Sequence, residues 1–316
     1  MWRFTIIRLT AIILLPMMTL SCAKRGTIVV GAKAFTEGYL LGHMAVLALR
    51  DAGFDVEEQF GLATAAMRSA LETGQVDLYY EYTGTAYTVY AKGTDKSVMT
   101  DSARVYNAVR TFDSSRHGLI WLTPIPFDDT YALMMKHDRA DREGIHTISD
   151  LAGAITRGSN LRIAVDGEFY ERPDGLKALV RHYGFPEKNI VKLDAGLIYR
   201  ALTEGSIDVG MGYSTDGQIQ AFNLSQLRDD RAFFPAYNPA AVVRKDLLLE
   251  QPRVRAVLER LNAYITPAVI RTLNAEVSME HRDPRKVAER WLRAQGHAPR
   301  TSYCAPPGLE GRKDYP

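Results

Sequence analysis

Two segments of the sequence show the same order of strand-like and helix-like patterns, which limits the folds that the chain can adopt. In the first segment, a β-branched run at residues 27–30 precedes a helical spacing of apolar residues from Thr36, and further strand and helix patterns lead to residues 74–79. The hexapeptide GQVDLY at residues 74–79 matches GSIDVG at residues 205–210. Strands that alternate with helices predict a parallel sheet with helical crossovers, and the repeat predicts two α/β lobes of this kind.

The order of the segments also predicts how the lobes are connected. We assign residues 23–128 and 231–297 to a first lobe and residues 129–230 to a second, so that the chain crosses between the lobes twice. Two α/β lobes joined in this way leave a cleft at the strand ends, where open sheets bind ligands. Residues 298–316 contain proline, glycine and charge without apolar periodicity, and we predict a disordered tail there.

Residues 1–22 have the pattern of an export signal. Two arginines precede an almost wholly apolar run at residues 9–20, which is shorter than a membrane-spanning helix requires. Cys22 follows a serine and resembles the lipidated cysteine of bacterial lipoproteins, although Thr19 stands where that pattern usually has leucine. Two outcomes remain open, lipidation of Cys22 with anchoring to a membrane and ordinary cleavage with release into the periplasm. Both predict an exported protein.

The composition argues against several classes of function. The formal net charge is +2, and removal of the two signal arginines leaves a neutral chain, without the basic excess of a nucleic-acid binder. The seven histidines are scattered without the spacing of a metal site. Gly210 and Gly212 lack the third glycine of a dinucleotide-binding loop, and Ser214 does not lie in a nucleophile elbow. We therefore expect no metal, no cofactor and no nucleic-acid partner.

Residues 77–87 concentrate tyrosines around one glutamate and contain a Thr-Gly-Thr turn. One interpretation is a half-buried strand whose aromatic side chains alternate between core and surface. The other is a cation-binding site, because tyrosine offers an electron-rich ring face with a polar tip. We divide the stretch between the two interpretations and assign three of its tyrosines to packing, namely Tyr79, Tyr80 and Tyr87.

Nine side chains are predicted to face the cleft, because each follows a predicted strand or lies near a crossing. They combine tyrosines with a lysine, an arginine, a threonine and acidic residues, a set that suits a ligand with a cation at one end and a carboxylate at the other. The nine are Lys33, Tyr82 and Thr85 from the first lobe, Asp129, Tyr131, Glu168, Arg172 and Tyr213 from the second, and Tyr237 at the return crossing.

The heptapeptide GAKAFTE at residues 31–37 resembles the Gly-Ser-Lys-x-Phe-Thr-Glu opening of the glycine betaine, carnitine and choline binding proteins of ABC importers, with Ala32 in place of the serine. DLYYEYTGT at residues 77–85 is similar to the Asp-x-Tyr-x-Glu-Tyr-Thr-Gly-Thr of the same family. The resemblance continues through DTYAL at residues 129–133 and covers roughly residues 27–292. It implies a two-lobed, type II periplasmic-binding-protein-like fold, a monomeric binding protein rather than an enzyme, and a membrane permease as partner.

The resemblance also implies a role for each cleft residue. In this family, tyrosine rings surround a trimethylammonium group, and by motif these are Tyr82, Tyr131, Tyr213 and Tyr237, with the backbone carbonyl of Asp129 adding to the cage. The family's carboxylate clamp corresponds to Lys33, Thr85 and Arg172, which favours glycine betaine over choline and leaves carnitine open. Glu168 is expected to orient Arg172 or to help close the lobes.

A second class of function is compatible with a two-lobed exported fold, namely a small transferase or hydrolase. The sequence shows no nucleophile beside a general base that would support such an enzyme. The hypothesis that we carry forward is a binding protein that supplies a quaternary ammonium compound to an ABC importer, for osmotic protection.

Overall fold

The structure, a computed structural model, describes residues 26–296 and confirms the predicted two-lobed α/β architecture. Each lobe is built on a five-stranded sheet, and helices pack against the sheets. The predicted export signal with its Cys22 and the predicted tail at residues 298–316 lie outside the described residues.

The strands are β1 (Ile28–Lys33), β2 (Val56–Leu62), β3 (Leu78–Tyr82), β4 (Leu119–Trp121), β5 (Tyr131–Lys136), β6 (Ile163–Val165), β7 (Ile190–Lys192), β8 (Val209–Tyr213), β9 (Leu224–Gln226) and β10 (Pro239–Arg244). The α-helices are α1 (Thr36–Asp51), α2 (Thr64–Glu72), α3 (Thr83–Thr85), α4 (Lys96–Met99), α5 (Ser102–Arg116), α6 (His137–Glu143), α7 (Ile148–Thr156), α8 (Gly167–Glu171), α9 (Leu176–Tyr183), α10 (Ala195–Glu204), α11 (Gln218–Ala221), α12 (Lys245–Glu250), α13 (Arg253–Asn262), α14 (Pro267–Ser278) and α15 (Pro284–Ala294). A π-helical turn, Ala86–Tyr90, continues α3.

The two sheets have the same topology. The first has the strand order β2-β1-β3-β10-β4 and the second has the order β7-β6-β8-β5-β9, so that β1, β2 and β3 correspond to β6, β7 and β8. The expectation of parallel sheets is wrong for part of each sheet, because β10 pairs antiparallel with β3 and β4, and β5 pairs antiparallel with β8 and β9. Strands β10 and β5 each follow a crossing. Each therefore enters its sheet from the other lobe and runs antiparallel to its neighbours.

The matching hexapeptides have the same structural role in the two lobes. Asp77 accepts a hydrogen bond from the backbone N–H of Val29 (2.8 Å) and donates its own N–H to the carbonyl of that residue (2.8 Å). Asp208 makes the same two bonds with Arg162, at 2.7 and 2.8 Å. In both lobes the aspartate therefore ties the start of one strand to the neighbouring parallel strand, which explains why the repeat retains it.

Helix α1 forms the centre of the first lobe. It is buried along almost its whole length and packs against the sheet and against α13, α14 and α15. Its first turn contains Glu37, a position where the helix dipole favours negative charge. The core of the second lobe extends to Tyr82 and Tyr237 at the edge of the first, so that aromatic side chains connect the lobes at the cleft. Across residues 26–296, no helix combines the length and the apolar character needed to cross a bilayer.

Two elements lack a sequence signal that predicts them. Residues 137–143 are polar without helical periodicity, yet they form α6, which ends at Gly144 in the left-handed conformation (φ 64°). The next helix, α7, begins with a capping box between Thr147 and Asp150. Strand β10 begins with Pro239, and proline is a residue that argues against a central strand because it has no backbone N–H to donate.

Candidate functional site

A cavity lies between the lobes at the carboxyl ends of β1, β3 and β8. The space that the centre of a water-sized sphere can occupy is about 40 Å³, enough for a few waters. All nine side chains predicted to face the cleft line this cavity, and the structure adds Phe35 and Thr64, which the sequence analysis missed. Three of the nine stand at strand ends (Lys33, Tyr82 and Tyr213), and Tyr131 begins β5. Thr85 ends α3, Glu168 lies in α8, and Arg172 directly follows α8. The remaining two, Asp129 and Tyr237, lie in the two crossings.

Aromatic rings form the walls of the cavity. The ring centroid of Tyr131 lies 5.3 Å from that of Tyr213 and 5.5 Å from that of Tyr237, the latter pair being nearly perpendicular. Phe35 completes the wall, because its ring centroid lies 5.8 Å from Tyr82 and 5.7 Å from Tyr213. Phe35 comes two residues after Lys33 within the first family motif, and that position is the signal that could have identified it.

The tyrosine hydroxyls remain protonated in this environment. Burial holds the pKa of Tyr82, Tyr213 and Tyr237 well above its ordinary value, and neighbouring acidic groups add to the effect for Tyr82. Neutral phenol rings with dry faces can attract a cation without exchanging a proton with it.

Lys33 is held by an acidic residue from the adjacent strand. Its Nζ lies 2.6 Å from Glu81 Oε1 and 5.0 Å from the centroid of the Tyr82 ring. Burial opposes ionisation of Glu81, but the ammonium of Lys33 and donors from Tyr79 and Tyr82 outweigh it, and the pKa of Glu81 is lowered. Glu81, the one glutamate among the tyrosines of residues 77–87, therefore holds the cavity lysine in place.

The tyrosines assigned to packing are buried in the first lobe. Tyr80 donates to Asn262 (2.6 Å), Tyr79 donates to Glu81 (2.8 Å), and Tyr87 is covered by its neighbours. Tyr79 therefore has a second role, because it also holds the partner of the cavity lysine.

Arg172 is fixed by three side chains of its own lobe. Its Nε and Nη2 bind Asp174 at 2.9 and 2.7 Å, which is the bidentate geometry that guanidinium and carboxylate prefer. The remaining nitrogen, Nη1, lies 3.2 Å from the hydroxyl of Tyr131 and 3.4 Å from Glu168. One edge of the guanidinium is thus engaged by Asp174, and Nη1, whose two contacts are longer, lies on the side of the cavity.

Hydrogen bonds cross the cleft between the lobes. Thr64, at the start of α2, donates to Glu168 at 2.5 Å, and Thr88, in the π-helical turn, donates to Asp174 at 2.6 Å. Glu168 therefore bridges Thr64 of the first lobe and Arg172 of the second. Thr64 lies in a sequence segment without any motif. Only the contact between the two lobes identifies it as a cavity residue.

No metal site is apparent in the part of the chain that the structure describes, since no three His, Cys, Asp or Glu side chains are grouped there to hold an ion.

Comparisons with known proteins agree with this geometry. Residues 26–294 match the family model described as the substrate binding domain of ABC-type glycine betaine transport systems. The chain is 37% identical to the glycine-betaine-binding protein of Pseudomonas aeruginosa over 279 residues (86% of this chain and 88% of the relative). It is 30% identical to the glycine betaine-binding protein YehZ of Escherichia coli K12 over 304 residues (94% and 97%).

Solved structures show the same architecture. A structure described as a glycine betaine/carnitine/choline ABC transporter superposes with a TM-score of 0.69 at 27% identity, covering 85% of this chain and 99% of the other. The similar structures are two-lobed binding proteins of type II, which confirms the predicted fold class.

Proposed function

Because this chain belongs to the family of substrate-binding domains of ABC-type glycine betaine transport systems, we propose that it binds glycine betaine in the cavity between its lobes and delivers it to a membrane permease. The single observation that carries the proposal is the convergence of four tyrosines, one lysine and one arginine on the same small cavity. Choline and carnitine are the alternative ligands. We also propose that the protein is exported and that its physiological role is osmotic protection.

The trimethylammonium group would lie against Tyr82, Tyr131, Tyr213 and Tyr237. A cation held over a desolvated aromatic ring gains about 0.5–2 kcal/mol, so that four rings supply a large share of the roughly 8 kcal/mol of micromolar binding. A quaternary ammonium has no N–H to donate, and rings satisfy it without a hydrogen-bond acceptor. The backbone carbonyl of Asp129 would add a partial negative charge to this cage.

The ligand carboxylate would lie toward Lys33, Thr85 and Arg172. The ammonium of Lys33 has three donors and uses one on Glu81, and Nη1 of Arg172 remains beside the cavity. Thr85 is buried, and its side chain lines the same cavity. These three groups supply donors where a betaine has its carboxylate and choline has only a hydroxyl.

Closure of the lobes would hold the ligand. Thr64 and Glu168, like Thr88 and Asp174, belong to different lobes and bond directly across the cleft. Ligand contacts from both lobes would add to these bonds and shift the protein toward the closed arrangement, as in hinge-type binding proteins.

Isothermal titration with glycine betaine, choline, carnitine and glycine tests the proposal. Glycine is the matched control because it has the carboxylate but lacks the methyl groups that contact the rings. We expect glycine betaine to bind most tightly and glycine to give no detectable heat. Absence of binding by every quaternary amine would contradict the proposal, and equal binding of glycine would contradict the role of the tyrosines.

A further inference from the structure

A buried pair of acidic side chains lies beside the proposed cation cage. Glu37, in the first turn of α1, and Asp129, in the first crossing, both contact the hydroxyl of Thr215, which follows β8. Thr215 Oγ1 lies 2.8 Å from Glu37 Oε2 and 2.6 Å from Asp129 Oδ1. Glu37, Asp129 and Thr215 are 2%, 5% and 3% exposed, so that the three side chains are nearly closed to bulk solvent.

The number of protons in this bridge is limited. A threonine hydroxyl has one proton and donates it to one acceptor at a time. The Thr215 hydroxyl proton can therefore serve only one of its two carboxyl contacts. The second contact also joins two oxygens at hydrogen-bonding distance and needs a proton of its own, so one of the two carboxyl groups must be protonated and donate to Thr215. Tyr82 and Asn274 donate to Glu37 at 2.7 and 3.0 Å, and both bonds favour its ionised form. The shared proton therefore belongs on Asp129.

The groups around the pair favour retention of this proton. Burial and the neighbouring acidic groups hold the pKa of Asp129 well above its ordinary value, and burial raises the pKa of Glu37 to about 7 despite the donors that bind it. The titratable groups that act most strongly on the pair are acids or phenols: Asp128, Asp216, Tyr82, Tyr199 and Tyr213. Of the cations that line the same cavity, Arg172 is paired with Asp174. The cation of the neighbouring strand, Lys33, is paired with Glu81.

We propose that the Glu37–Thr215–Asp129 bridge couples cation binding to proton release, so that Asp129 loses its proton to the solvent when a quaternary ammonium group occupies the tyrosine cage. Asp129 and Tyr82 both line the cavity, and Tyr82 is bonded to Glu37, so the cation would lie directly beside the pair. It would supply the positive charge that a second buried carboxylate otherwise lacks. The O–H bond of Asp129 is the only bond that breaks, and a buffer base accepts the proton.

This inference rests on the proposed function, because the ligand supplies the cation. Since the bound cation lowers the proton affinity of the pair, ligand affinity should rise with pH. The ligand affinity rises by at most about tenfold per pH unit, and it rises only between the pKa of the occupied pair and the pKa of the free pair. Choline should show the effect at least as strongly as glycine betaine, because it brings no carboxylate of its own.

Titration calorimetry with choline and glycine betaine near pH 7, in phosphate and in Tris, measures the released proton directly. Tris has the larger ionisation enthalpy, so release of up to about one proton per ligand makes binding more exothermic in Tris than in phosphate. We also expect the Kd for choline to fall between about pH 6 and about pH 8. Binding with equal enthalpies in the two buffers and a constant Kd would overturn the inference and leave the proposed function intact. Absence of binding by any quaternary amine would contradict the proposed function itself.

Three variants locate the proton. Asp129→Asn should bind with equal enthalpies in both buffers and a flat pH profile, and Glu37→Gln should shift the release to lower pH because it removes the charge that holds the proton on Asp129. Asp216→Asn is the matched control, since Asp216 is a partly buried neighbour that bonds Tyr199 instead of Thr215, and release should persist. Release that survives in Asp129→Asn or disappears only in Asp216→Asn would overturn the assignment. The wild-type measurement decides the main point even if a variant fails to fold.

Discussion

Lys33 and Glu81 form an ion pair that is nearly closed to solvent at the ends of two neighbouring strands. Nζ of Lys33 lies 2.6 Å from Oε1 of Glu81, and the two side chains are 6% and 0% exposed. Glu81 also accepts hydrogen bonds from Tyr79, Tyr90 and the backbone of Tyr82, so that it is fixed from several sides. The cavity lysine therefore has its charge balanced and its position set before any ligand arrives.

Glu81→Ala should lower the free energy of unfolding by about 3–5 kcal/mol, because removal of one partner leaves the other charge buried and unpaired. Urea unfolding near pH 7 measures this loss. The matched control is Glu57→Ala on the exposed side of β2, which should stay within about 0.5 kcal/mol of wild type. Because the folded-state pKa of Glu81 is lowered, its contribution is present at neutral pH and is lost as the pH falls through that pKa.

Tyr82→Ala should weaken glycine betaine binding by at least about 1 kcal/mol, a roughly fivefold rise in Kd, because one ring of the cage is removed. Tyr82→Phe should weaken it less, since the ring remains and only the bond to Glu37 is lost. Tyr264→Ala, at a tyrosine that is 44% exposed, is the control and should bind as wild type does. Titration calorimetry checks all three, and unchanged binding by Tyr82→Ala would remove Tyr82 from the cage.

Thr88→Val should loosen the closed arrangement, because it removes the hydroxyl that lies 2.6 Å from Asp174 across the cleft, closer than its second acceptor, the carbonyl of Gly84 at 2.8 Å. A hydrogen bond of this kind contributes about 0.5–1.5 kcal/mol, so the Kd should rise roughly two- to tenfold, mainly through faster dissociation. Stopped-flow measurement of ligand release is the appropriate test. Thr272→Val, whose hydroxyl bonds only within α14, is the control, and equal dissociation rates of the two variants would argue against a role in closure.

Gly84→Ala should disturb both folding and binding, because a Cβ there would lie 2.7 Å from the ring of Tyr237 and 2.8 Å from Pro235. The ring would have to move away from the cavity that it lines. We expect a stability loss of about 1–3 kcal/mol, as for overpacked cores, together with weaker ligand binding. Gly196→Ala in the exposed first turn of α10 meets no atom within 4 Å and should be neutral or stabilising. Thermal unfolding and calorimetry of the two variants provide the comparison.

His43, buried in α1, should make the protein less stable in mild acid. Burial lowers its pKa from 6.5 to about 4, so the unfolded chain takes up the proton before the folded protein does. The stability that neutral His43 provides is complete above about pH 6.5 and is lost as the pH falls toward 4, by about 3 kcal/mol in total. Urea unfolding at about pH 7.5 and about pH 4.5 should show a smaller difference for His43→Leu than for wild type. The exposed His281→Gln is the control, and identical pH dependence in His43→Leu would contradict the prediction.

The sequence by itself determined most of the order of the elements, the two lobes and the residues at the strand ends, but not α6 or β10. These features depend on local signals, namely apolar periodicity, the repeated Gly-x-x-Asp segment and the two motifs around Lys33 and Tyr82. Because strands of a repeated unit end at the same edge of each sheet, residues placed after the strands converge without knowledge of the detailed packing. All nine predicted cleft residues line the cavity for this reason.

Only the tertiary structure decided which of these groups are already paired and which additional residues complete the site. Glu37 stands in the first motif, but its partners Thr215 and Asn274 lie 178 and 237 residues further along the chain. Thr64 meets Glu168 over 104 residues, through the docking of one lobe on the other. Burial and long-range contact set the protonation of a carboxyl group and the partner of a cation, and neither is encoded in the local pattern around the residue.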